Sequence, residues 1–190
     1  DADLLRRAGV PADSFEGYLF PDTYYFPRKT DVEDIIVTMT ERLRSLLRDE
    51  WKKRSEELGL SLHEVLTLAS IIEKETGAAF ERPLISSVFH NRLQKGMRLQ
   101  TDPTVIYGIE DFDGNLTRKH LQTPTPYNTY KIRGLPPGPI ASPGLSSIEA
   151  ALYPADTKYL YFVSKKDRTH YFSTNLYDHR RAIRKYQLRR

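Results

Sequence analysis

Two glutamates, Glu73 and Glu75, end the mostly apolar run Leu66-Thr67-Leu68-Ala69-Ser70-Ile71-Ile72-Glu73-Lys74-Glu75-Thr76-Gly77. A helix stopped at Gly77 holds both carboxylates at its C-terminal end, where the negative pole of the helix dipole disfavours ionisation. Leu68, Ile71 and Ile72 push the same way by withholding water, so the tip suits a protonated general acid better than a structural salt bridge. At about 100° per residue Glu75 shares a face with Leu68, Ile71 and Ile72, whereas Glu73 lies roughly opposite, below Leu66 and Ser70. Only one of them can point into a given cleft. The competing reading makes Glu75 a surface carboxylate paired with Lys74 or Arg82, and for Glu73 that reading is the stronger one.

Other chemistries find little support in the residues. The chain has no cysteine, which removes disulfides, thiolate metal sites and thiol nucleophiles together. Its five histidines, His63, His90, His120, His170 and His179, lack the spacings that suit zinc, and no G-x-S-x-G elbow is present. No metal and no cofactor are expected. What remains is acid-base work by a carboxyl group in a groove of hydroxyl and amide side chains. Gln100, Tyr107, Asn128 and Tyr130 fall in two such segments, residues 97–108 and 123–130, where backbone hydrogen bonding in turns competes evenly with ligand binding; Asp102 reads first as a helix cap. Residues 15–27 add six aromatics in thirteen positions, which serve either as core or as a wall for the apolar face of a pyranose ring. These residue types suit a sugar.

The elements that must position them follow from hydrophobic spacing. A short helix over residues 1–9, with Leu4, Leu5 and Ala8 on one side, stops at Gly9 and Pro11, and two extended pieces joined at Pro21-Asp22 follow. Asp31 can cap a helix that runs through Val32, Ile35, Ile36, Met39, Leu43, Leu46 and Leu47 to about Trp51 or a little beyond. Ser61 with Glu64 is a capping-box signature for the helix of the two glutamates, and residues 62–72 leave that helix hardly any polar face, which predicts burial nearly all round. An amphipathic helix over 82–94 stops at Gly96, and Pro103 opens a short helix ending at Tyr107. The glycine- and proline-rich stretch 134–144 is a rigid binding loop or a connector. A helix over 146–152, a hairpin of 159–163 and 170–173, and a helix from Leu176 to Gln187 complete the chain. Helices outnumber strands and the strands are local and antiparallel, so the class is α+β.

At 190 residues, 39% apolar and 28% charged, the chain is long enough for one substantial core, and no apolar run approaches the roughly 18–20 residues that span a bilayer. The net charge of +4 is compatible with an anionic polymer as partner. The basic excess gathers at Arg180, Arg181, Arg184, Lys185, Arg189 and Arg190, which read as a solvated helix face; with no nucleic-acid-reading motif beside it, nucleic acid is not an expected partner. The first residue is Asp1 and the opening is amphipathic, so an anchor or domain is expected upstream.

The segments Glu16-Gly17-Tyr18-Leu19-Phe20-Pro21-Asp22-Thr23-Tyr24, Leu68-Ala69-Ser70-Ile71-Ile72-Glu73-Lys74-Glu75-Thr76, Arg98-Leu99-Gln100-Thr101-Asp102-Pro103-Thr104-Val105-Ile106-Tyr107-Gly108, Tyr127-Asn128-Thr129-Tyr130 and Gly134-Leu135-Pro136-Pro137-Gly138-Pro139-Ile140 resemble, in order and over nearly the whole chain, the MltG (YceG-like) endolytic murein transglycosylases of bacteria. The resemblance implies a helix-rich α+β catalytic domain with a lysozyme- or transglycosylase-like acid at the end of a buried helix. It implies cleavage between N-acetylmuramic acid and N-acetylglucosamine in nascent peptidoglycan, with a 1,6-anhydro end that terminates elongation alongside the synthases. Other lytic transglycosylases carry a Glu-Ser pair at this place, and Glu75-Thr76 is the nearest counterpart; Glu75 is therefore the expected catalytic residue and Glu73 the reserve. Gln100, Thr101, Asp102, Tyr107, Asn128 and Tyr130 are the expected substrate-binding residues. The resemblance also divides the chain into residues 1–30, the start of the fragment and an aromatic segment packing on the rest, and a catalytic domain of residues 31–190. A membrane-anchoring helix and most of a LysM-like module would lie upstream, with the catalytic part outside the cytoplasmic membrane. The alternative is a non-catalytic glycan-binding module that scaffolds the synthases.

Overall fold

The computed structural model describes residues 2–188; Asp1, Arg189 and Arg190, and with them part of the basic C-terminal cluster, lie outside the described residues. In chain order the elements are α1 (Ala2–Arg7), α2 (Val32–Leu46), α3 (Asp49–Glu57), α4 (Leu62–Glu75), a 3-10 turn (Ala79–Glu81), α5 (Arg82–Gln94), α6 (Asp102–Tyr107), α7 (Arg118–Gln122), α8 (Leu145–Leu152), β1 (Tyr161–Ser164), β2 (His170–Ser173) and α9 (Leu176–Tyr186). Among the described residues this is a helix-rich α+β fold with one antiparallel hairpin, which pairs Phe162 with Phe172 and Val163 with Tyr171.

The capping box at the start of α4 forms as its spacing predicts: Ser61 accepts from the Glu64 amide, and the Glu64 carboxylate accepts from the Ser61 amide. Beyond it residues 65–72 are all buried, and α8 and α5 pack against the helix. Burying one leucine or isoleucine side chain contributes about 1.5–3 kcal/mol. Leu66, Leu68, Ile71 and Ile72 are all fully buried, so α4 is anchored firmly enough to carry a poorly solvated carboxyl on its last residue.

The N-terminal segment joins the same core through Ala8, Val10, Tyr18 and Phe20. The Tyr18 hydroxyl is 2.8 Å from His63 Nδ1, and His63 Nε2 is 2.8 Å from the Pro137 carbonyl, so one imidazole on α4 ties this segment to the proline-rich loop. Gly17, at φ +84, allows the close approach, since a Cβ there would lie 2.4 Å from the Pro139 ring. The aromatic run divides: Tyr18 and Phe20 are core, whereas Tyr25 is 94% exposed. No strand forms among residues 15–27, because no neighbouring strand offers a ladder.

Two local expectations are corrected. The helix expected to run from Val32 to about Trp51 or a little beyond is two helices. Leu47 (ψ 90) and Arg48 (ψ 154) leave the helical region, and Asp49 and Glu50 begin a new first turn where acidic groups suit the dipole. Continuous amphipathic spacing hides such a break. Asp31 stands at the N-cap of α2 without a side-chain cap bond. Helix α7 was not foreseen; its signal is the Thr117 hydroxyl and the His120 ring, which cap each other's amides. The hairpin is fastened to the body by Glu81, a buried residue whose carboxylate accepts from the His170 amide (2.9 Å) and bonds His170 Nδ1 (2.7 Å).

Candidate active site

Glu75 is the last residue of α4, and Thr76 leaves the helix in extended geometry. The Thr76 hydroxyl accepts from the Ala78 amide at 3.0 Å, so it fastens the chain reversal. The hydroxyl partner of Glu75 comes instead from a distant segment: Thr101 Oγ1 donates to Glu75 Oε1. Thr101 occupies the N-cap of α6, yet its side chain is spent on Glu75 and not on the helix. Two fully buried threonines fix it there. The Thr101 amide donates to Thr129 Oγ1 at 3.0 Å, and Thr104 Oγ1 donates to the Thr101 carbonyl at 2.8 Å. Gln100, just before, is held at φ +52, an uncommon conformation for a residue with a side chain, and its amide donates to the Thr129 carbonyl at 3.2 Å.

Burial raises the Glu75 carboxyl from its ordinary 4.5 to about 7; the Thr101 hydrogen bond opposes the shift, the Asp102 charge adds to it and Arg92 opposes it. Oε1 is engaged by Thr101, and no described residue bonds Oε2, which leaves that oxygen to a ligand.

Glu73 lies on the other side of the helix, as its spacing predicts. Its Oε2 accepts from Ser147 Oγ at 2.7 Å and from the Gly144 amide at 3.1 Å, and its Oε1 faces Arg82 at 3.4 Å. Burial alone would raise its pKa, but the Ser147, Gly144 and Arg82 interactions outweigh it and hold the carboxyl below its ordinary 4.5. This paired carboxylate ties α4 to the start of α8. Glu73→Gln is expected to cost about 1–3 kcal/mol of stability near neutral pH. Because the folded-state pKa is depressed, that contribution is present above the ordinary value and is lost as pH falls through the depressed one. Urea unfolding of both proteins at about pH 7 and about pH 3 checks this: the gap between them should shrink at the lower pH.

Glu75 opens onto a cleft of about 450 Å3 whose lining includes Arg92, Leu99, Gln100, Asp102, Tyr130, Tyr161, Phe162, Val163, Leu176, His179 and Ile183. The structure thus gathers Glu75, Gln100, Asp102 and Tyr130, with Thr101 just behind. Asp102 does not cap α6; it stands in the first turn and accepts from the Tyr130 hydroxyl at 2.6 Å. Asn128 is not brought to the cleft. It is 0% exposed, and its amide donates to the carbonyls of His120, Leu121 and Thr123 while accepting from the Tyr130 amide. Tyr107 also lies elsewhere, at the far end of α6, its ring centroid 4.7 Å from that of Tyr127 with the planes tilted by 54°, and its hydroxyl 3.4 Å from Glu16. A larger hollow of about 710 Å3 lies against α9 among Arg181, Arg184 and Lys185 and is lined by none of these groups.

Sequence reasoning missed the wall built by the hairpin and α9. Arg92 is buried, donates to the carbonyls of Leu160 (2.7 Å) and Leu99 (2.6 Å), and lies 5.2 Å over the Tyr161 ring. An arginine on α5 carried no sign of that role; its partners are backbone carbonyls of the nearby residues 98–99 and of the distant Leu160.

Fold and cleft together define an α+β protein built around one carboxyl of raised pKa at the tip of a core helix. The chain belongs to the YceG-like family, whose profile matches residues 2–185. It is 46% identical over 172 residues to a Bacillus subtilis (strain 168) protein named endolytic murein transglycosylase, covering 90% of this chain and 48% of that one. It is 34% identical over 174 residues to the Streptococcus pneumoniae (serotype 2, strain D39) protein of the same name, covering 88% and 31% respectively. The chain therefore spans about half the length of the first relative and about a third of the second. The crystal structure of a YceG-like protein from Listeria monocytogenes superposes with a TM-score of 0.83 at 41% identity, covering 95% of this chain and 62% of that one. Among the described residues no helix is long and apolar enough to cross a membrane.

Proposed function

We propose that the chain is the catalytic part of an endolytic lytic transglycosylase, cutting nascent peptidoglycan between N-acetylmuramic acid and N-acetylglucosamine and leaving a 1,6-anhydro end. The observation that carries this reading is the Glu75 carboxyl, raised to about 7 on an open cleft with one oxygen held by Thr101 and the other unbonded. The name shared by the relatives supports it.

In this mechanism protonated Glu75 donates to the bridging oxygen as the glycosidic bond breaks. The carboxylate left behind takes the proton of the muramic acid C6 hydroxyl, whose oxygen closes on the anomeric carbon. One bond breaks and one forms, the acid is restored, and no water is consumed, so the second carboxyl of an ordinary glycosidase has no task. Asp102, bound by Tyr130, acts through its charge, helping to keep Glu75 protonated. On this reading Gln100 and Tyr130, which line the cleft, contact the bound sugar.

On the same reading residues 31–190 form the catalytic unit and residues 1–30 the end of an upstream module packed against it. The enzyme works on the outer face of a bacterial cytoplasmic membrane, held by an upstream anchor and acting beside peptidoglycan synthases.

Digestion of purified sacculi, with products read by mass spectrometry, tests the proposal. Anhydro-muramic ends are expected. Reducing muramic acid ends would point to a hydrolase in which Asp102 activates water, and unaltered strands that bind tightly would point to a glycan-binding module.

A further inference from the structure

His179, on α9, lines the same cleft as Glu75. Its ring stacks on Tyr161, with centroids 5.0 Å apart and planes 24° from parallel, and Arg92, itself fixed by two carbonyls, lies over that same tyrosine. The imidazole is therefore set in a rigid assembly. Yet no described residue bonds either of its nitrogens, and Nδ1 is buried. Such a buried nitrogen without a partner asks for an explanation.

Burial, and then the Arg92 charge, lower the His179 pKa, so the ring is neutral and carries one N–H. A proton on Nδ1 would be a sealed donor with no acceptor, beside a cation that favours a lone pair instead. The proton therefore sits on Nε2, the nitrogen left to the cleft. Around it the wall is aliphatic, with Val163, Leu176 and Ile183. A neutral donor set in an apolar wall matches an acetamido group, whose carbonyl oxygen accepts and whose methyl seats on the aliphatic side chains.

We propose that His179 is a substrate-binding residue whose Nε2–H donates to the carbonyl oxygen of an N-acetyl group on the glycan. This rests on the reading of the cleft as a glycan site. The test measures binding of N-acetylglucosamine oligosaccharides, and of the same oligosaccharides after de-N-acetylation, to the Glu75→Gln protein with and without a change at His179. His179→Phe keeps the stack and removes both nitrogens; it should weaken binding of the acetylated ligand about tenfold, the loss of one neutral hydrogen bond. His179→Gln, which places an amide N–H near the position of Nε2, should recover affinity to within about threefold on the same scale. De-N-acetylated ligand should not distinguish the variants. Equal binding of the acetylated ligand by the Phe variant, or equal losses for both ligands, overturns the proposal while leaving the glycan site standing. If neither ligand, nor a purified peptidoglycan strand, binds to the Glu75→Gln protein, the glycan reading falls and this proposal with it. Nitrogen NMR of the His179 ring gives a reading that needs no variant: a proton on Nδ1 in place of Nε2 overturns the proposal.

Discussion

Glu75→Gln is expected to abolish strand cleavage, lowering the rate about 10²–10⁴-fold, the range for losing a positioned general acid-base group. Glutamine keeps the size and still accepts from Thr101, so the fold should be unchanged. The titration of the same group gives two further readings of this one substitution. In the unaltered protein kcat/KM should fall as pH rises through about 7, because the acid must enter protonated. Stability moves with the same sign. A folded-state pKa raised above the ordinary 4.5 favours folding below 4.5, and that advantage is lost as pH rises through about 7. The glutamine variant has no carboxyl to ionise, so it should gain on the unaltered protein as pH rises across that window. Full activity in Glu75→Gln, or no change in relative stability with pH, would remove Glu75 from its assigned role.

Asn128→Ala is expected to produce the largest loss of stability among the candidate substrate-binding residues. Its side chain is sealed from water, donates to three backbone carbonyls and accepts from the Tyr130 amide. Truncation leaves those buried groups without partners, at a cost of about 3 kcal/mol or more. That corresponds to a fall in Tm of about 6–12 °C for a chain of this size. Calorimetry checks it. The effect reaches the cleft, because the same amide places Tyr130, whose hydroxyl holds Asp102. A variant as stable as the unaltered protein would show that Asn128 is not the pin of this loop.

Asn128 and Tyr107 mark the limit of reading a site from residue type. Both belong to segments of hydroxyl and amide groups, and both suit a sugar. Whether such a group meets a ligand or a backbone carbonyl depends on how the loop turns, and the loop of residues 123–130 turns around Asn128 itself. The corrected helix boundary has a similar cause. Spacing of apolar residues reports a face, and α2 and α3 present compatible faces on either side of a two-residue break.

The two glutamates were separable because helical geometry is local. A capping box at Ser61, a run of apolar residues and a 3.6-residue period together put Glu73 and Glu75 on different sides of one buried helix, and the structure keeps them there. The α+β class and the hairpin are legible for the same reason: each is written in contiguous residues. Tertiary structure alone decided which carboxyl has its pKa raised and which has it lowered. Ser147 and Gly144 reach Glu73 from more than seventy residues away and hold it charged, while Thr101, Asp102 and Arg92 surround Glu75 with a mixture in which burial prevails. It also built the wall of Arg92, Tyr161 and His179 from α5, β1 and α9. A pKa depends on groups within a few ångströms whatever their separation in the chain, so the sequence determined that two carboxyls end one buried helix and the fold determined that the pKa of Glu75 is raised and that of Glu73 lowered.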